Sequence, residues 1–407
     1  MKILILGAGV QGSTVAKKAS EEKKVEKIYI ADWDIASVDE IIKYSSKISG
    51  FKLDASKYEN IIDLCKKIDP IDLIINALPL HFAKNVLDSA VALKINYQDF
   101  AAGEGIKDDW FEGLKYLLTE YDTKFKNNNK LAIIGTGSAP GLLCLATRIA
   151  VKELDTCDTI YNLVWEGVKT KRFIPFWFSP TSALWDMSEP AIAWINNKIV
   201  RTDAFSLPVV RKYDYLDTPI TFVEHSHDEP AYYGIHAQEF YKGVKNAYFK
   251  YAGLGIDFAK GLFESGKLSH KKQMIDGQMI SPYELTLKSI PTPPKHPSEI
   301  KAIIDEGLIS DSGCMVAEAI GLKNGKEAKV EVHILAPGLR DSFEKAKMTA
   351  EAFVTGQSGF LYTKLFIDDV IKTHGLISSD MLSYEEIDIY MNNAKKLDIT
   401  TQTKIIW

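Results

Sequence analysis

The feature that most constrains this chain is a short apolar strand that runs directly into a glycine-rich turn and then into a helix. Residues 3–6 are apolar throughout, the sequence GAGVQG occupies residues 7–12, and a helical pattern of apolar residues begins at residue 10. G-x-G-x-x-G between a strand and a helix is typical of dinucleotide binding. The first glycine permits the tight turn, the second lets the backbone approach a pyrophosphate, and the third allows close packing of helix and strand. The pyrophosphate is expected at the helix N-terminus, where free N–H groups point outward.

The same alternation of strand and helix continues through the first 150 residues. Short strands are predicted at residues 3–6, 27–31, 51–53, 72–76, 96–100 and 131–134. Helices are predicted between and after them, at residues 10–22, 35–46, 58–68, 82–93, 108–126 and 141–151. Short apolar strands separated by helices indicate a parallel sheet that is covered on both faces. The predicted fold class is therefore α/β, with an N-terminal doubly wound Rossmann sheet of six strands.

Asp32 ends the second predicted strand and lies 20 residues after Gly12. A carboxylate at this place accepts hydrogen bonds from a ribose 2′-hydroxyl and repels a 2′-phosphate. Because no arginine follows in Trp33 or Asp34, NAD is favoured over NADP as cofactor. In the alternative interpretation, Asp32 only caps the next helix. The predicted cofactor contacts are Gly7, Gly9, Val10, Gln11, Gly12, Asp32, Trp33, Asp54, Ala77, Leu78 and Pro79.

The chain changes character after the first 150 residues. Aromatic residues are dense between residues 157 and 290, and the strand–helix rhythm stops there. Residues 291–297, PTPPKHP, form a predicted exposed loop. Residues 329–335, KVEVHIL, alternate polar and apolar side chains as a half-exposed antiparallel strand does. These patterns predict a second, α+β domain.

Composition and charge exclude several other classes of protein. Apolar residues make up 46% of the 407 residues and the net charge is only −5, which excludes intrinsic disorder and gives no reason to expect a nucleic-acid or membrane partner. No apolar segment reaches the roughly 20 residues of a membrane span, and the N-terminus does not have the pattern of a signal peptide. The four cysteines lack C-x-x-C spacing, which favours reduced thiols and a cytoplasmic location.

Several motifs in collinear order resemble the saccharopine dehydrogenase family. They are GAGVQG, NALP at residues 76–79, NYQDFA at 96–101, SAPG at 138–141, and the segments 179–200 and 354–367. The resemblance is closest to the lysine 6-dehydrogenase branch. Where the family usually has Pro-Pro-Glu, this chain has Ser378, Ser379 and Asp380.

The resemblance implies an architecture, a reaction class and an assembly. It implies a Rossmann domain at residues 1–152, a substrate and oligomerisation domain at 153–345, and C-terminal helices at 346–407 that pack back on the Rossmann domain. It also implies oxidation or reduction of a C–N bond in an amino acid such as lysine or saccharopine, without a metal, by a homodimer.

A catalytic base is expected near the nicotinamide, at the carboxyl ends of strands four to six. The candidates are Asp99, Tyr97, Glu104 and His81. Asp99 is the first choice because it occupies the acidic position of strand five in the family. A helix cap or a salt bridge would also explain Asp99, packing alone would explain Tyr97, and a helix start would explain His81.

Carboxylate recognition favours arginine, whose planar fork binds both oxygens. Arg172 and Arg211 lie in the aromatic domain and are the predicted substrate residues, together with Glu224 as a contact for the substrate ammonium. Residues 224–229, EHSHDE, contain possible metal ligands, but a polar loop or sheet edge is the favoured interpretation and no metal is predicted.

The sequence therefore predicts an NAD(P)-dependent oxidoreductase that acts on a C–N bond of a small amino-acid substrate. Two alternatives remain open. One is a carboxynorspermidine-type reductive condensing enzyme that uses NADP. The other is a dinucleotide-binding sensor without catalysis.

Overall fold

The computed structural model describes residues 1–100, 103, 106, 107, 109–275 and 277–407. The chain forms two compact units. The first unit comprises Met1–Leu145 and Val354–Leu397, and the second comprises Ala146–Phe353 and Asp398–Trp407. Each unit is therefore built from two separate stretches of the chain.

Strands are distributed along the whole described chain. In chain order they are β1 (Lys2–Leu6), β2 (Lys27–Asp32), β3 (Ile48–Lys52), β4 (Leu73–Asn76), β5 (Asn96–Asp99), β6 (Leu131–Ile134), β7 (Thr156–Glu166), β8 (Lys169–Thr170), β9 (Ala191–Ile195), β10 (Lys198–Thr202), β11 (Val209–Arg211), β12 (Ile220–Glu224), β13 (Asn246–Gly253), β14 (Gln273–Ile275), β15 (Gln278–Ile280), β16 (Leu308–Ser310), β17 (Gly313–Lys323), β18 (Lys326–Leu335), β19 (Gly375–Ser378) and β20 (Thr400–Ile406).

Helices separate most of these strands. In chain order they are α1 (Val10–Glu21), α2 (Ile35–Ile42), α3 (Tyr58–Lys67), α4 (Ala83–Leu93), α5 (Trp110–Tyr116), α6 (Asp122–Asn127), α7 (Leu142–Lys152), α8 (Pro180–Ser188), α9 (Glu229–Ile235), α10 (Leu254–Glu264), α11 (Pro282–Leu287), α12 (Pro297–Glu306), α13 (Leu339–Ala346), α14 (Ala350–Ile367) and α15 (Tyr384–Lys395). Over the part of the chain that the structure covers, none of them combines the length and the apolar character that crossing a membrane requires.

The first unit is built on a parallel sheet of seven strands in the order β19-β6-β5-β4-β1-β2-β3. The side chains of β4 and β6 are buried along their whole length, because helices cover both faces. The predicted doubly wound α/β sheet is confirmed. Its first six strands were predicted from the sequence, and β19 from the C-terminal segment adds a seventh beside β6.

The third strand begins earlier than predicted. It covers Ile48–Lys52, whereas the apolar pattern indicated residues 51–53. The Ser-Gly pair within it has the composition of a turn, but Gly50 lies where a Cβ atom would collide with the Val38 side chain of α2. The glycine therefore lets α2 pack closely on the strand, and a local pattern does not reveal this.

The C-terminal segment contributes to both units. The buried side-chain amide of Gln98 donates to the Gly359 carbonyl oxygen of α14 at 2.8 Å, and the Thr363 hydroxyl donates to the Gln98 side chain at 2.9 Å. These bonds hold α14 on the first unit, as expected for helices that return to the Rossmann domain. The final strand, β20, instead pairs with β18 in the second unit. Residues 346–407, which were predicted to pack back on the Rossmann domain, are thus divided between the two units.

The second unit contains a mixed sheet of nine strands. Its main path is β10-β9-β13-β7-β17-β18-β20, and β12 pairs with both β11 and β13. β7 and β13 are parallel, whereas β17 is antiparallel to both of its neighbours. The predicted half-exposed strand at residues 329–335 lies within β18, which is paired along both edges and mostly buried. The strand is antiparallel, as predicted, but it is not half-exposed.

Candidate functional site

The glycine turn after β1 has the geometry that close approach of a ligand requires. Gly7 has φ of +107°, and a Cβ atom there would lie 2.5 Å from the Ala77 carbonyl oxygen. A Cβ atom on Gly12 would collide with the Gly7 carbonyl oxygen. A Cβ atom on Gly9, in contrast, would meet no described atom within 4 Å. Gly7 and Gly12 are thus required by the protein's own packing, whereas the space beside Gly9 is open.

The open space lies at the start of α1. Gly9 is the N-cap of this helix and offers no side-chain oxygen to its first N–H groups. Val10 follows and is exposed. Unsatisfied N–H groups and the positive end of the helix dipole form an anion site. Gly9, Val10 and Gln11 therefore have the geometry to hold the pyrophosphate of a dinucleotide.

Asp32 connects this turn to the turn that follows β2. Its Oδ2 accepts the Ala8 backbone N–H at 2.7 Å, and its Oδ1 accepts the Asp34 backbone N–H at 2.8 Å. The N-cap of α2 is Asp34, which accepts the Ala36 N–H at 3.1 Å. Asp32 is therefore not the helix cap. Each of its oxygens keeps acceptor capacity for a ribose hydroxyl.

The strand beside Asp32 adds a positive charge, because Lys52 of β3 pairs in register with Asp32. The Lys52 ammonium lies 4.9 Å from the centre of the exposed Trp33 ring. Asp54, another predicted cofactor contact, accepts the Ser56 backbone N–H at 3.0 Å and the Ser56 hydroxyl at 2.6 Å. These two bonds hold the pKa of the Asp54 carboxyl below its usual value. Lys52 would favour a 2′-phosphate here, whereas Asp32 would oppose one.

The turn after β4 lies against the glycine loop. The Ala77 N–H donates to the Leu6 carbonyl oxygen, and the Leu78 N–H donates to the Asn76 side chain at 3.2 Å. Pro79 is exposed and precedes the short 3₁₀ turn Leu80–Phe82. His81 within that turn is exposed, with its ring 4.0 Å from the ring of its neighbour Phe82.

A buried chain of hydrogen bonds crosses the carboxyl ends of β4, β5 and β6. The Asn76 side-chain amide donates to the Tyr97 hydroxyl at 3.2 Å, and that hydroxyl donates to Asp99 Oδ2 at 2.9 Å. The Gly135 backbone N–H donates to Asp99 Oδ1 at 2.9 Å. The Asp99 carboxyl is therefore held by a tyrosine and a backbone amide, not by the helix or the cation that the two alternative interpretations would supply.

Burial has the largest effect on the pKa values of the two titrating groups in this series of hydrogen bonds, the Asp99 carboxyl and the Tyr97 phenol. Only 2% of Asp99 is exposed, and desolvation raises the pKa of its carboxyl to about 7, against the lowering effect of the Gly135 and Tyr97 bonds. Burial and the neighbouring Asp99 raise the pKa of the Tyr97 phenol well above its usual value. A carboxyl that titrates near neutrality suits proton transfer. The fourth catalytic candidate, Glu104, lies outside the described residues.

Asn76 and Gly135 were not among the predicted site residues, whereas Tyr97, which bonds to Asp99 directly, was. Asn76 and Asp99 end neighbouring parallel strands and are paired in register. Gly135 directly follows the next strand of the sheet, β6. A signal for Asn76 was present in the sequence, since two polar residues ending adjacent strands meet at one sheet edge. Gly135 acts through its backbone N–H, so the sequence contains no side chain that would point to its role.

The two arginines predicted to bind the substrate carboxylate already have carboxylate partners. Arg172 donates through two guanidinium nitrogens to Glu306. Arg211 donates to the buried Glu318 through Nε at 2.9 Å. Both guanidinium groups are therefore paired within the second unit, Arg211 with a buried carboxylate and Arg172 with an exposed one.

Glu224, the predicted ammonium contact, is likewise paired within the second unit. Its carboxylate forms a buried ion pair with Lys250 and accepts the Thr202 hydroxyl at 3.3 Å. The polar stretch that follows it contains an ion pair between His227 and Glu229. Among the described residues, no group of three or more His, Cys, Asp or Glu side chains is arranged to hold a metal ion.

Fold and site together define a dinucleotide-binding α/β protein with a second, mixed-sheet unit. The family profile of the saccharopine dehydrogenase NADP binding domain matches residues 3–132. This match, over the N-terminal third of the chain, agrees with the resemblance to the saccharopine dehydrogenase family noted in the sequence.

Comparison with individual proteins extends the likeness. A carboxyaminopropylagmatine dehydrogenase of Synechocystis sp. is 29% identical over 154 residues, which is 37% of this chain and 38% of that relative's length. Saccharopine dehydrogenase (L-Glu forming) from Saccharomyces cerevisiae has a similar structure, with a TM-score of 0.71 and 15% identity over the full length of both chains. Homospermidine synthase from Legionella pneumophila in complex with NAD gives a TM-score of 0.67 and 12% identity over all of this chain and 92% of that one. At these identities the two structures establish a shared fold.

Proposed function

We propose that this chain is an NAD-dependent oxidoreductase that transfers hydride at a C–N bond of an amino-acid substrate such as lysine or saccharopine. The observation on which the proposal rests is the buried Asp99 carboxyl, with a pKa of about 7, at the carboxyl edge of the sheet that also presents the glycine loop. In open α/β sheets, ligands lie at this edge. The match of residues 3–132 to a dinucleotide-binding domain supports the cofactor class.

The cofactor would be held by residues of the first unit. Gly9 and the first N–H groups of α1 would receive the pyrophosphate, and Asp32 would accept a ribose hydroxyl. A bound dinucleotide would supply the hydride acceptor or donor of the reaction. We favour NAD because Asp32 would repel a 2′-phosphate, although Lys52 reduces that preference.

Asp99 would handle the proton that accompanies hydride transfer. Oxidation of an amine requires the nitrogen lone pair, so the substrate ammonium must first lose a proton to a base. A carboxyl that titrates near neutrality is matched to this task. Tyr97 would act as a positioning residue, because its hydroxyl donates to the Asp99 carboxyl and accepts from Asn76. His81 remains a weaker candidate on its exposed turn.

A second candidate function is reductive condensation of a polyamine with NADP. Its support is the similarity to a carboxyaminopropylagmatine dehydrogenase over 154 residues. In that direction, Asp99 in its protonated form would return a proton to the product nitrogen. Both functions use the same buried carboxyl.

One substrate screen tests both functions. Purified protein is incubated with lysine, saccharopine and a series of polyamines, and formation of NADH or NADPH is followed at 340 nm at about pH 9, where the amines begin to lose their protons. The reverse reaction is assayed with amine and aldehyde pairs. Oxidation of an amino acid with NAD supports the first function, whereas NADPH consumption only with an amine and an aldehyde supports the second. A protein that binds dinucleotide but turns over no substrate would refute both and leave the sensor interpretation.

A further inference from the structure

A second cluster of titratable side chains lies in the second unit, where β7, β12 and β13 meet. Glu166 is the last residue of β7, and Tyr251 lies two residues before the end of its parallel neighbour β13. His225 directly follows β12, and its backbone N–H donates to the Phe249 carbonyl oxygen. The sheet therefore brings side chains from three strands together at one edge.

These side chains form a continuous row, which we call the acceptor row: Glu166, Tyr251, His225, His227 and Glu229. The Tyr251 hydroxyl bonds to Glu166, and the Tyr251 ring lies 5.1 Å from the His225 ring. The His225 ring is 6.0 Å from that of His227, which is paired with Glu229. The row has a carboxyl group at each end.

Three atoms of the acceptor row are shielded from solvent yet receive no hydrogen bond from any residue that the structure describes. They are Glu166 Oε1, His225 Nδ1 and Glu229 Oε1. Only 3% of His225 and 0% of Glu229 is exposed. A buried polar atom without a partner destabilises a fold and is uncommon in native proteins, so three such atoms in one row require an explanation. A bound ligand with N–H donors would satisfy them.

The charges around Glu166 favour a cationic ligand. Burial, followed by the charge of Glu351, raises the pKa of the Glu166 carboxyl to about 8, against the Trp177 backbone N–H and the Tyr251 hydroxyl. Burial and the neighbouring His227 lower the pKa of His225 to about 3, so its imidazole is neutral and keeps one acceptor nitrogen. Burial lowers and the Glu229 carboxylate raises the pKa of His227, to about 9, so that end of the row already holds a paired cation. The end with Glu166 and the neutral His225, on either side of Tyr251, is the part suited to a donor-rich cation.

The walls of the acceptor row suit an organic cation. The His227 ring stacks on Phe249 at 4.0 Å, and the Tyr251 ring lies beside His225. The His227 ring already covers one face of Phe249, so the Tyr251 ring is the aromatic surface of the row that would attract an ammonium or guanidinium group. A metal ion would instead need several converging ligands, an arrangement that is absent from the described part of the chain.

We propose that the acceptor row binds a cationic nitrogen group, an alkylammonium or a guanidinium, with Glu166 Oε1 and His225 Nδ1 as its acceptors. The proposal rests on the proposed function in one respect, namely that the bound cation belongs to the amine substrate. It assigns amine recognition to residues of the second unit that were not among the predicted site residues, in place of Glu224, whose charge is already paired with Lys250.

Calorimetry on the full-length protein tests the proposal without turnover. Putrescine, lysine and agmatine are titrated at pH 7, with and without NADH. At least one amine is expected to bind the wild type, with putrescine and lysine reporting an alkylammonium and agmatine a guanidinium. Glu166→Gln keeps the size of the side chain and should weaken that binding by about tenfold or more, the usual weight of a hydrogen bond to a charged group. Glu264→Gln removes a charge from an exposed glutamate of the same unit and should leave amine affinity unchanged.

Proton release gives a second readout that a merely structural role would not produce. An incoming cation stabilises the Glu166 carboxylate, so this carboxyl, mostly protonated at pH 7, should release a proton when the amine binds. Repeating the titration in two buffers of different ionisation enthalpy measures the release. Glu351 and Tyr251 face the same carboxyl and His227 lies further along the row, so the decisive quantity is the part of the release that Glu166→Gln abolishes.

Several outcomes overturn the proposal. One is that wild-type protein binds none of the three amines at millimolar concentration. Another is that a folded Glu166→Gln variant keeps wild-type affinity and proton release. If Glu166→Gln does not fold, His225→Phe keeps a ring between Tyr251 and Phe249 and must itself weaken amine binding. Amine binding that depends on Glu166 in a protein without turnover would refute the proposed function alone. Turnover with an unchanged KM in Glu166→Gln would refute the acceptor row alone.

Discussion

Replacing Asp99 by Asn should change both the activity of the protein and the way its stability depends on pH. The substitution keeps the shape of the side chain and its acceptor for the Gly135 N–H, but it removes the titrating carboxyl. If Asp99 accepts the substrate proton, kcat should fall by about 10²–10⁴, the usual contribution of general acid–base catalysis. Dinucleotide affinity should stay the same, because the glycine loop is built from other strands.

The magnitude of the stability effect follows from the pKa shift. Burial raises the pKa of Asp99 from 3.8 to about 7. Because the folded-state pKa is the higher one, the folded protein holds this proton between about pH 4 and pH 7 while the unfolded chain has lost it, and stability falls as the pH rises through that window. At about 1.4 kcal/mol for each pKa unit, wild-type protein should lose roughly 2.5 kcal/mol from this group between about pH 5 and pH 8. Asp99→Asn should not lose this amount.

Urea denaturation of both proteins at pH 5 and pH 8 measures the effect. Other titrating groups cancel in the comparison, because they are the same in both proteins. At pH 5 the variant should be less stable than wild type by about 1 kcal/mol, because it lacks the Tyr97 bond. At pH 8 the variant should be the more stable of the two, because only wild type has lost the contribution of the Asp99 proton. Asp63→Asn is the matched control, since Asp63 is an exposed residue of the same unit that pairs only loosely with Lys66, at 3.7 Å.

Two results would refute this reasoning. Parallel loss of stability in wild type and Asp99→Asn between the two pH values would mean that the carboxyl does not titrate in this window. Near-normal turnover in a stable variant would remove Asp99 from the mechanism and direct attention to Tyr97 and Glu104.

Three further predictions concern the cofactor and the assembly. Wild-type protein should bind NAD more tightly than NADP, and Asp32→Ala should narrow the difference; equal or tighter binding of NADP by wild type, measured by fluorescence titration, would contradict this. Gly9→Ala should leave the melting temperature unchanged but weaken dinucleotide binding by about tenfold or more. Gly12→Ala should instead cost about 2 kcal/mol of stability, because its Cβ atom would overpack against Gly7. The reverse pattern would show that the open space beside Gly9 is not the pyrophosphate site. Because exposed apolar side chains such as Met274 and Met279 remain on the second unit, sedimentation at micromolar concentration should give twice the chain mass of 45.5 kDa, and a monomer would refute the dimer.

The sequence by itself determined the N-terminal fold and the place of the cofactor loop. Strand and helix periodicity, glycine spacing and the position of Asp32 are local properties, and the backbone conformations they favour do not depend on distant residues. Six strands of the parallel sheet were predicted for this reason. Asp99 was also selected, because it lies at the carboxyl end of a predicted strand and occupies the acidic strand-five position of the family that the chain resembles.

Only the tertiary structure decided which charged groups are already paired. Arg172 and Glu306 are far apart in the sequence, as are Arg211 and Glu318. The sequence therefore contains no sign that each arginine already pairs with a carboxylate. The burial that sets the pKa of Asp99 is likewise a property of the packed sheet and not of the motif.

The position of a strand within its sheet was also decided by long-range pairing. The alternating pattern of β18 is that of a half-exposed strand, yet β17 and β20 pair with both of its edges. The unpaired acceptors of Glu166 and His225 became visible in the same way, because three strands from distant parts of the chain bring them together. Alternation and composition report which face of an element is buried, whereas pairing, charge compensation and desolvation depend on what the rest of the chain places beside it.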